Sequence, residues 1–148
     1  MSYPVLHIAN KIIANTDSEH GELISNLKLQ KLLYYMQGFH IAIFGKPLFS
    51  ENVEAWQYGP VVREMYDHFK NFGAGSITLN EDDPVAKLNA EEEELFTEVF
   101  LEYNQFSAIK LMNMTHEEHP WRKTFNENPQ GVISVELLNG YFKTQIVE

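Results

Sequence analysis

The sequence predicts a mainly α, compact single-domain bundle of six or seven short helices spanning residues 1–148, with room for a short extended or β piece around residues 48–58. Three observations carry that expectation. Apolar residues recur at i, i+3, i+4 and i+7 in several separate stretches, the spacing of one helical face. Ser, Asn and Pro stand just before those stretches, where helix starts favour them. A chain of 148 residues, 44% hydrophobic and holding 10 Phe, 7 Tyr and 2 Trp, is long and apolar enough to bury one core.

Pro4 at a first helical turn precedes Val5, Ile8, Ala9, Ile12 and Ile13, so a first helix is expected over about residues 4–15. Ser25 or Asn26 caps a second, longer helix carrying Leu29, Leu32, Leu33, Met36 and Phe39 or His40, which stops at Gly45-Lys46-Pro47. Its wide stripe makes it central. Leu48 to Tyr58 has no helical period and Val53 to Trp56 alternates weakly, which fits a short extended piece. Gly59-Pro60 then starts a third helix that buries Val61, Val62, Met65, Tyr66 and Phe69 and ends at Phe72-Gly73, before one long loop to Pro84. Asn89 and Glu92 form a capping-box pattern at the head of a helix over about residues 90–104. Its Glu91 to Glu94 run reads as a solvated first turn, where the helix dipole favours negative charge. Ser107 caps Ala108 to His116, Pro120 starts a short turn through Trp121 and Phe125, and Ser134 caps a last helix with Leu137, Leu138, Tyr141 and Phe142.

Eleven Lys and Arg stand against 21 Asp and Glu, a net charge of −10. Glu81, Asp82, Asp83, Glu91 to Glu94, Glu98 and Glu102 fall in one stretch against Lys87 alone. Nucleic-acid affinity comes largely from Lys and Arg neutralising phosphates, so nucleic acid is not expected as a partner, and a basic protein is electrostatically easier. With no Cys, the chain cannot form a disulfide, a zinc finger or a thiol nucleophile, which points to a reducing, cytoplasmic location. Met1 to Pro4 has no basic region followed by an apolar one, and Gln37 and His40 interrupt the longest apolar run, so neither an export signal nor a membrane span is expected.

His116-Glu117-Glu118-His119 superficially resembles the zinc protease motif, but that chemistry needs two His four residues apart on one helical face. Here they are three apart and Pro120 is expected to break the helix just after His119, so capping or core hydrogen bonding is the preferred role and no metal is expected. No G-x-S-x-G elbow, Walker lysine loop or G-x-G-x-x-G run is present, and no nucleophile–base constellation is visible. Neither catalytic residues nor a cofactor is expected.

Four blocks stand out: Leu29-Gln30-Lys31-Leu32-Leu33-Tyr34-Tyr35, Ala55-Trp56-Gln57-Tyr58-Gly59-Pro60-Val61-Val62, Met65-Tyr66, and Thr115-His116 through Pro120-Trp121. In this order and spacing, with Ile133 and Tyr141-Phe142 behind them, they resemble the Panacea domain, the family of SocA-like antitoxins that also includes phage-associated GepA-like proteins. The resemblance runs from about Val5 to Phe142. It implies a non-enzymatic antitoxin of a bacterial or prophage toxin–antitoxin pair, binding a cognate toxin encoded in an adjacent gene. The alternative it implies is a proteolytic adaptor that delivers the toxin to a ClpXP-type protease, with Thr144 to Glu148 as a candidate tether. No counterpart of the extra DNA-binding or zinc-binding segments of some family members is expected here.

Residue by residue, the resemblance places toxin-binding or motif positions at Gln30, Lys31 and Tyr34 on the second helix and at Trp56, Tyr58, Gly59, Pro60 and Val61 on the bend. Tyr66 follows on the third helix, and His116 and Trp121 lie near the late turn. Gln30 and Lys31 are polar residues on a largely apolar helix, so their heads either satisfy buried backbone groups or reach a surface. They are expected to tie the Trp56 to Pro60 bend against the second helix. Trp56 reads as a core plug or an exposed recognition edge, with the plug favoured. Tyr34 and Tyr35 point about 100° apart, so one can be core and the other surface.

Overall fold

One long helix, α2 (Asn26–Phe44), is buried on nearly every side, and the rest of the chain packs around it. The computed structural model describes residues 2–16 and 24–146. Among them the order is α1 (Val5–Ala14), α2, β1 (Glu54–Trp56), β2 (Gly59–Val61), α3 (Arg63–Phe69), α4 (Ala90–Asn104), α5 (Ala108–His116), α6 (His119–Glu127) and α7 (Val135–Lys143). The fold is mainly α, with one small sheet.

Local chemistry sets the helix starts. The Ser25, Ser107 and Ser134 hydroxyls each accept from a backbone N–H in the first turn of α2, α5 and α7. Asn89 and Glu92 close a full capping box on α4. Such caps satisfy donors that no helical carbonyl can reach. Packing sets the rest. α7 lies directly on α2 because Gly38 has no side chain: a Cβ there would overlap the Phe142 ring. That ring meets Phe39, Tyr34 and Tyr35 edge-on, with centroids 4.9, 5.4 and 6.1 Å away.

β1 and β2 pair antiparallel, with Ala55 opposite Pro60 and Gln57-Tyr58 as the turn. On its other edge β1 is covered by residues 130–133, through Gln130 N to Ala55 O (2.7 Å), Ala55 N to Gly131 O (2.9 Å) and Ile133 N to Val53 O (2.8 Å). The extended piece therefore continues past Tyr58, and the third helix starts at Arg63, not at Gly59-Pro60. The cause is backbone geometry: Gly59 has φ +108°, and the Val62 N–H is taken by a side chain of α2. Val61 and Val62 are buried through this route, whereas Tyr66 stays 37% exposed instead of joining the core.

Three other expectations need correction. Glu92, inside the acidic run, is buried: its carboxylate accepts from the Tyr3 hydroxyl and lies 2.7 Å from His40 Nε2, while its neighbour Glu93 pairs with Lys11 at 2.9 Å. Only Glu91 and Glu94 of that run behave as plain solvated acids. The helical break falls before His119, and Pro120 sits in the first turn of a nine-residue helix, not a short turn. Among the described residues, no helix is long and apolar enough to cross a membrane.

Candidate functional site

The signature blocks converge on the β1–β2 hairpin. The Gln30 side-chain carbonyl accepts the Val62 N–H at 2.9 Å, while its amide donates to Asn26 Oδ1 at 2.9 Å. Asn26 in turn donates to the Tyr66 carbonyl at 3.1 Å, so one amide chain joins α2 to both ends of the β2–α3 junction. One residue on, Lys31 Nζ donates to the Pro60 carbonyl at 3.2 Å. The lysine passes over Gly59 so closely that a Cβ there would lie 2.5 Å from Lys31 Cε and 3.0 Å from Thr115 Oγ1. From the other side, Trp121 Nε1 donates to the Trp56 carbonyl at 2.8 Å. The His116 ring stacks on Trp121 at 4.2 Å, and the Gln57 backbone engages that ring. Burial pulls the His116 imidazole below its ordinary pKa, and the Gln57 bond works against that.

Removing the Gln30 tie is expected to be costly. In Gln30→Ala the buried Val62 N–H has no acceptor, and each stranded group costs about 1–3 kcal/mol. Urea unfolding of the variant reads the loss directly; a midpoint equal to that of the parent chain would contradict the tie.

Although Tyr34 and Tyr35 point about 100° apart on the helix, both are fully buried. Glu118 is the reason. Its two carboxylate oxygens accept from the Tyr34 and Tyr35 hydroxyls at 2.9 and 2.8 Å, and Tyr141 supplies a further hydroxyl. Burial pushes the Glu118 carboxyl up to about 7, with the tyrosine bonds working against it. Sequence reasoning missed this residue. Two neighbouring tyrosines on an all-round buried helix demand an acceptor, but nothing local selects one of 21 acids.

Beside the hairpin lies a pocket of about 470 Å³ lined by Gln30, Lys31, Trp56, Tyr58, Val61 and Tyr66, with Lys70 among its further walls. Tyr34, Gly59, Pro60, His116 and Trp121 are not on its lining: Gly59 and Pro60 belong to the hairpin, His116 and Trp121 brace it, and Tyr34 holds Glu118. Tyr58, at the turn, is 60% exposed. Trp56 is half-buried, neither plug nor free edge: its ring meets Tyr66 at 5.1 Å, Arg63 lies over it at 5.2 Å, and Nε1 donates to Glu54 at 2.9 Å.

His116 and His119 sit on different helices, and among the described residues no three His, Asp or Glu side chains converge as metal ligands. The acidic head of α4 meets α2 at His40, ten residues and about 15 Å along the helix from Gln30. In the candidate tether, Ile146 packs partly buried against the core, and Val147 and Glu148 lie outside the described residues.

Residues 29–122 match the family described as Antitoxin SocA-like, Panacea domain. Among curated proteins, the Antitoxin SocA of Caulobacter vibrioides (strain NA1000 / CB15N) is similar, 46% identical over 50 residues that make up 34% of this chain and 27% of that protein. The matched segment thus spans about a quarter of the length of that relative. No solved structure matches.

Proposed function

This chain belongs to the Antitoxin SocA-like, Panacea domain family, and from that premise we propose that it is an antitoxin that neutralises a cognate toxin by direct contact, through the Trp56–Val62 hairpin and the adjoining pocket. The observation that supports this reading most is the investment in the hairpin. Gln30, Lys31 and Trp121 each donate or accept a bond to its backbone, yet the turn residue Tyr58 is left 60% exposed. A large aromatic side chain held at the surface on a fixed backbone loses little entropy on binding, which is how a preorganised contact gains affinity. Tyr and Trp are also the residue types enriched at binding hot spots. Occlusion of a toxin by this route should bury about 1,200–2,000 Å² in total.

Co-expression of this chain with the product of its neighbouring gene tests the reading. The expected result is rescue of growth together with a stoichiometric complex that copurifies. Tyr58→Ala should weaken that complex by about 30-fold, the equivalent of about 2 kcal/mol, while leaving the unfolding midpoint unchanged because Tyr58 makes no core contact. Rescue without any complex would overturn direct binding and point to delivery of the toxin to a ClpXP-type protease, which the half-life of the toxin would then read.

A further inference from the structure

Near its C-terminus α2 also comes to the surface. Ile43, 45% exposed, and Phe39 line a groove of about 420 Å³ together with Leu95, Val99 and Tyr103 of the neighbouring α4. Phe39 stands nine residues after Gln30, a turn of about 180° around the helix. The groove therefore opens on the side of α2 opposite the hairpin pocket, and the two share no lining residue. Its charged residues are Glu98 and Glu102, with no Lys, Arg or His on the lining.

The two acids belong to a row. Glu91, Glu94, Glu98 and Glu102 recur three or four residues apart, on one edge of α4. His40 and Lys11 take Glu92 and Glu93, but among the described residues no cation pairs with any member of the row. Like charges four residues apart repel, so Glu94 with Glu98 and Glu98 with Glu102 weaken α4 in the free protein, while the apolar groove walls stay in contact with water. A segment with apolar side chains on one face and Lys or Arg beside them relieves both. An amphipathic helix laid into an apolar groove is a recurring way to make such a contact. Phosphates of nucleic acid or lipid would meet like charge there, and a second copy of this chain would bring its own net charge of −10 against the same acids. We propose that the groove between α2 and α4 docks a basic amphipathic segment of a partner protein other than the toxin, whose apolar face covers Phe39 and Ile43 and whose Lys or Arg pair with Glu98 and Glu102. Its assignment to a partner other than the toxin rests on the direct-binding reading above.

Fluorescence anisotropy of a labelled synthetic peptide tests this on the full chain. The probe is a peptide of about four helical turns with Leu on one face and Lys elsewhere, and its counterpart carries Glu in place of Lys. The parent chain should bind the Lys probe and not the Glu one. Ile43→Ala should weaken binding at least about ten-fold. Glu98→Gln combined with Glu102→Gln should weaken it as much and flatten its salt dependence. Because that pair of changes relieves like-charge repulsion, it should not lower the urea midpoint. Glu81→Gln combined with Asp82→Asn removes the same charge from an exposed segment outside the groove and should leave the affinity unchanged. No binding of the Lys probe, or equal losses in the two double variants, would overturn the groove as a docking site. The probe should bind equally well to the chain saturated with the neighbouring gene's protein product; competition between the two would overturn the assignment to a second partner and give the groove to the toxin. A chain that forms no complex with that product would overturn direct binding, and the peptide measurements would still decide the groove.

Discussion

Stability of the free protein is expected to fall as the pH rises from about 4.5 to about 7 and to recover as it rises further toward about 10, which inverts the usual maximum near neutrality. Two buried groups dominate it, and the depressed His116 imidazole, whose contribution is lost as the pH falls below 6.5, offsets part of the acid limb. Glu118 has a folded pKa of about 7 against an ordinary 4.5, so its contribution is fully present below 4.5 and is lost as the pH climbs through 7. That span corresponds to on the order of 3 kcal/mol. Lys31 has a folded pKa of about 7 against 10.5, so its contribution is present above 10.5 and is lost as the pH falls through 7. The penalties meet at neutrality. Glu92 does not refill the trough: burial pushes it up, but bonds from Tyr3, His40 and the Asn89 backbone outweigh that and leave it below the ordinary range, so its contribution is lost at pH values lower than 4.5. Above about pH 10 the buried Tyr34 and Tyr35, held protonated by burial, bring stability down again.

Urea midpoints at about pH 5, 7 and 9 for three proteins check this prediction. Glu118→Gln should flatten the acid limb, because the amide does not titrate, while its oxygen still accepts from one tyrosine and its N–H bonds the other. Lys31→Met should flatten the alkaline limb, because no amine is left to titrate, while the Pro60 carbonyl left without its donor costs about 1–3 kcal/mol at every pH. A parent profile that peaks at pH 7 would show that these two groups are solvated or paired in solution, and would remove the trough altogether.

Gly59→Ala is the second large effect. The new methyl would lie 2.5 Å from Lys31 Cε and 3.0 Å from Thr115 Oγ1, and the backbone there sits at φ +108°, which residues with a side chain rarely adopt. Strain of this kind costs about 1–3 kcal/mol, and forcing Lys31 aside in a packed interior adds about 1–3 kcal/mol more. Alanine normally stabilises extended and helical backbone relative to glycine, so the sign of the change is diagnostic. The same variant should weaken toxin binding through the displaced hairpin, and combining it with Lys31→Ala should recover the part of the stability loss that comes from the clash. No recovery in the double variant would assign the whole cost to φ.

Much of the fold was legible in the chain. The serine caps on α2, α5 and α7 and the Asn89–Glu92 box followed from residue type and spacing, and the Gln30 and Lys31 ties to the bend were expected only once the family resemblance had singled those residues out. These are interactions in which one partner is backbone, and backbone N–H and C=O groups are present in every segment, so the polar residue alone announces the bond. The pocket was not legible, because Gln30, Tyr58, Tyr66 and Lys70 come from separate elements and only their assembly makes a concave wall.

Tertiary structure also decided the fate of the acids. Glu92 looked like one of four solvated glutamates until His40, 52 positions away, and Tyr3, 89 positions away, enclosed it. Glu118 looked like half of a failed metal motif until Tyr34 and Tyr35, 84 and 83 positions away, took both its oxygens. By itself the sequence determined the capped starts of α2, α4, α5 and α7, most of the apolar faces and which family the chain resembles. Which side chains lose water, and with whom, was decided only when α2 was surrounded, because burial is a property of what arrives from elsewhere in the chain and carries no local period.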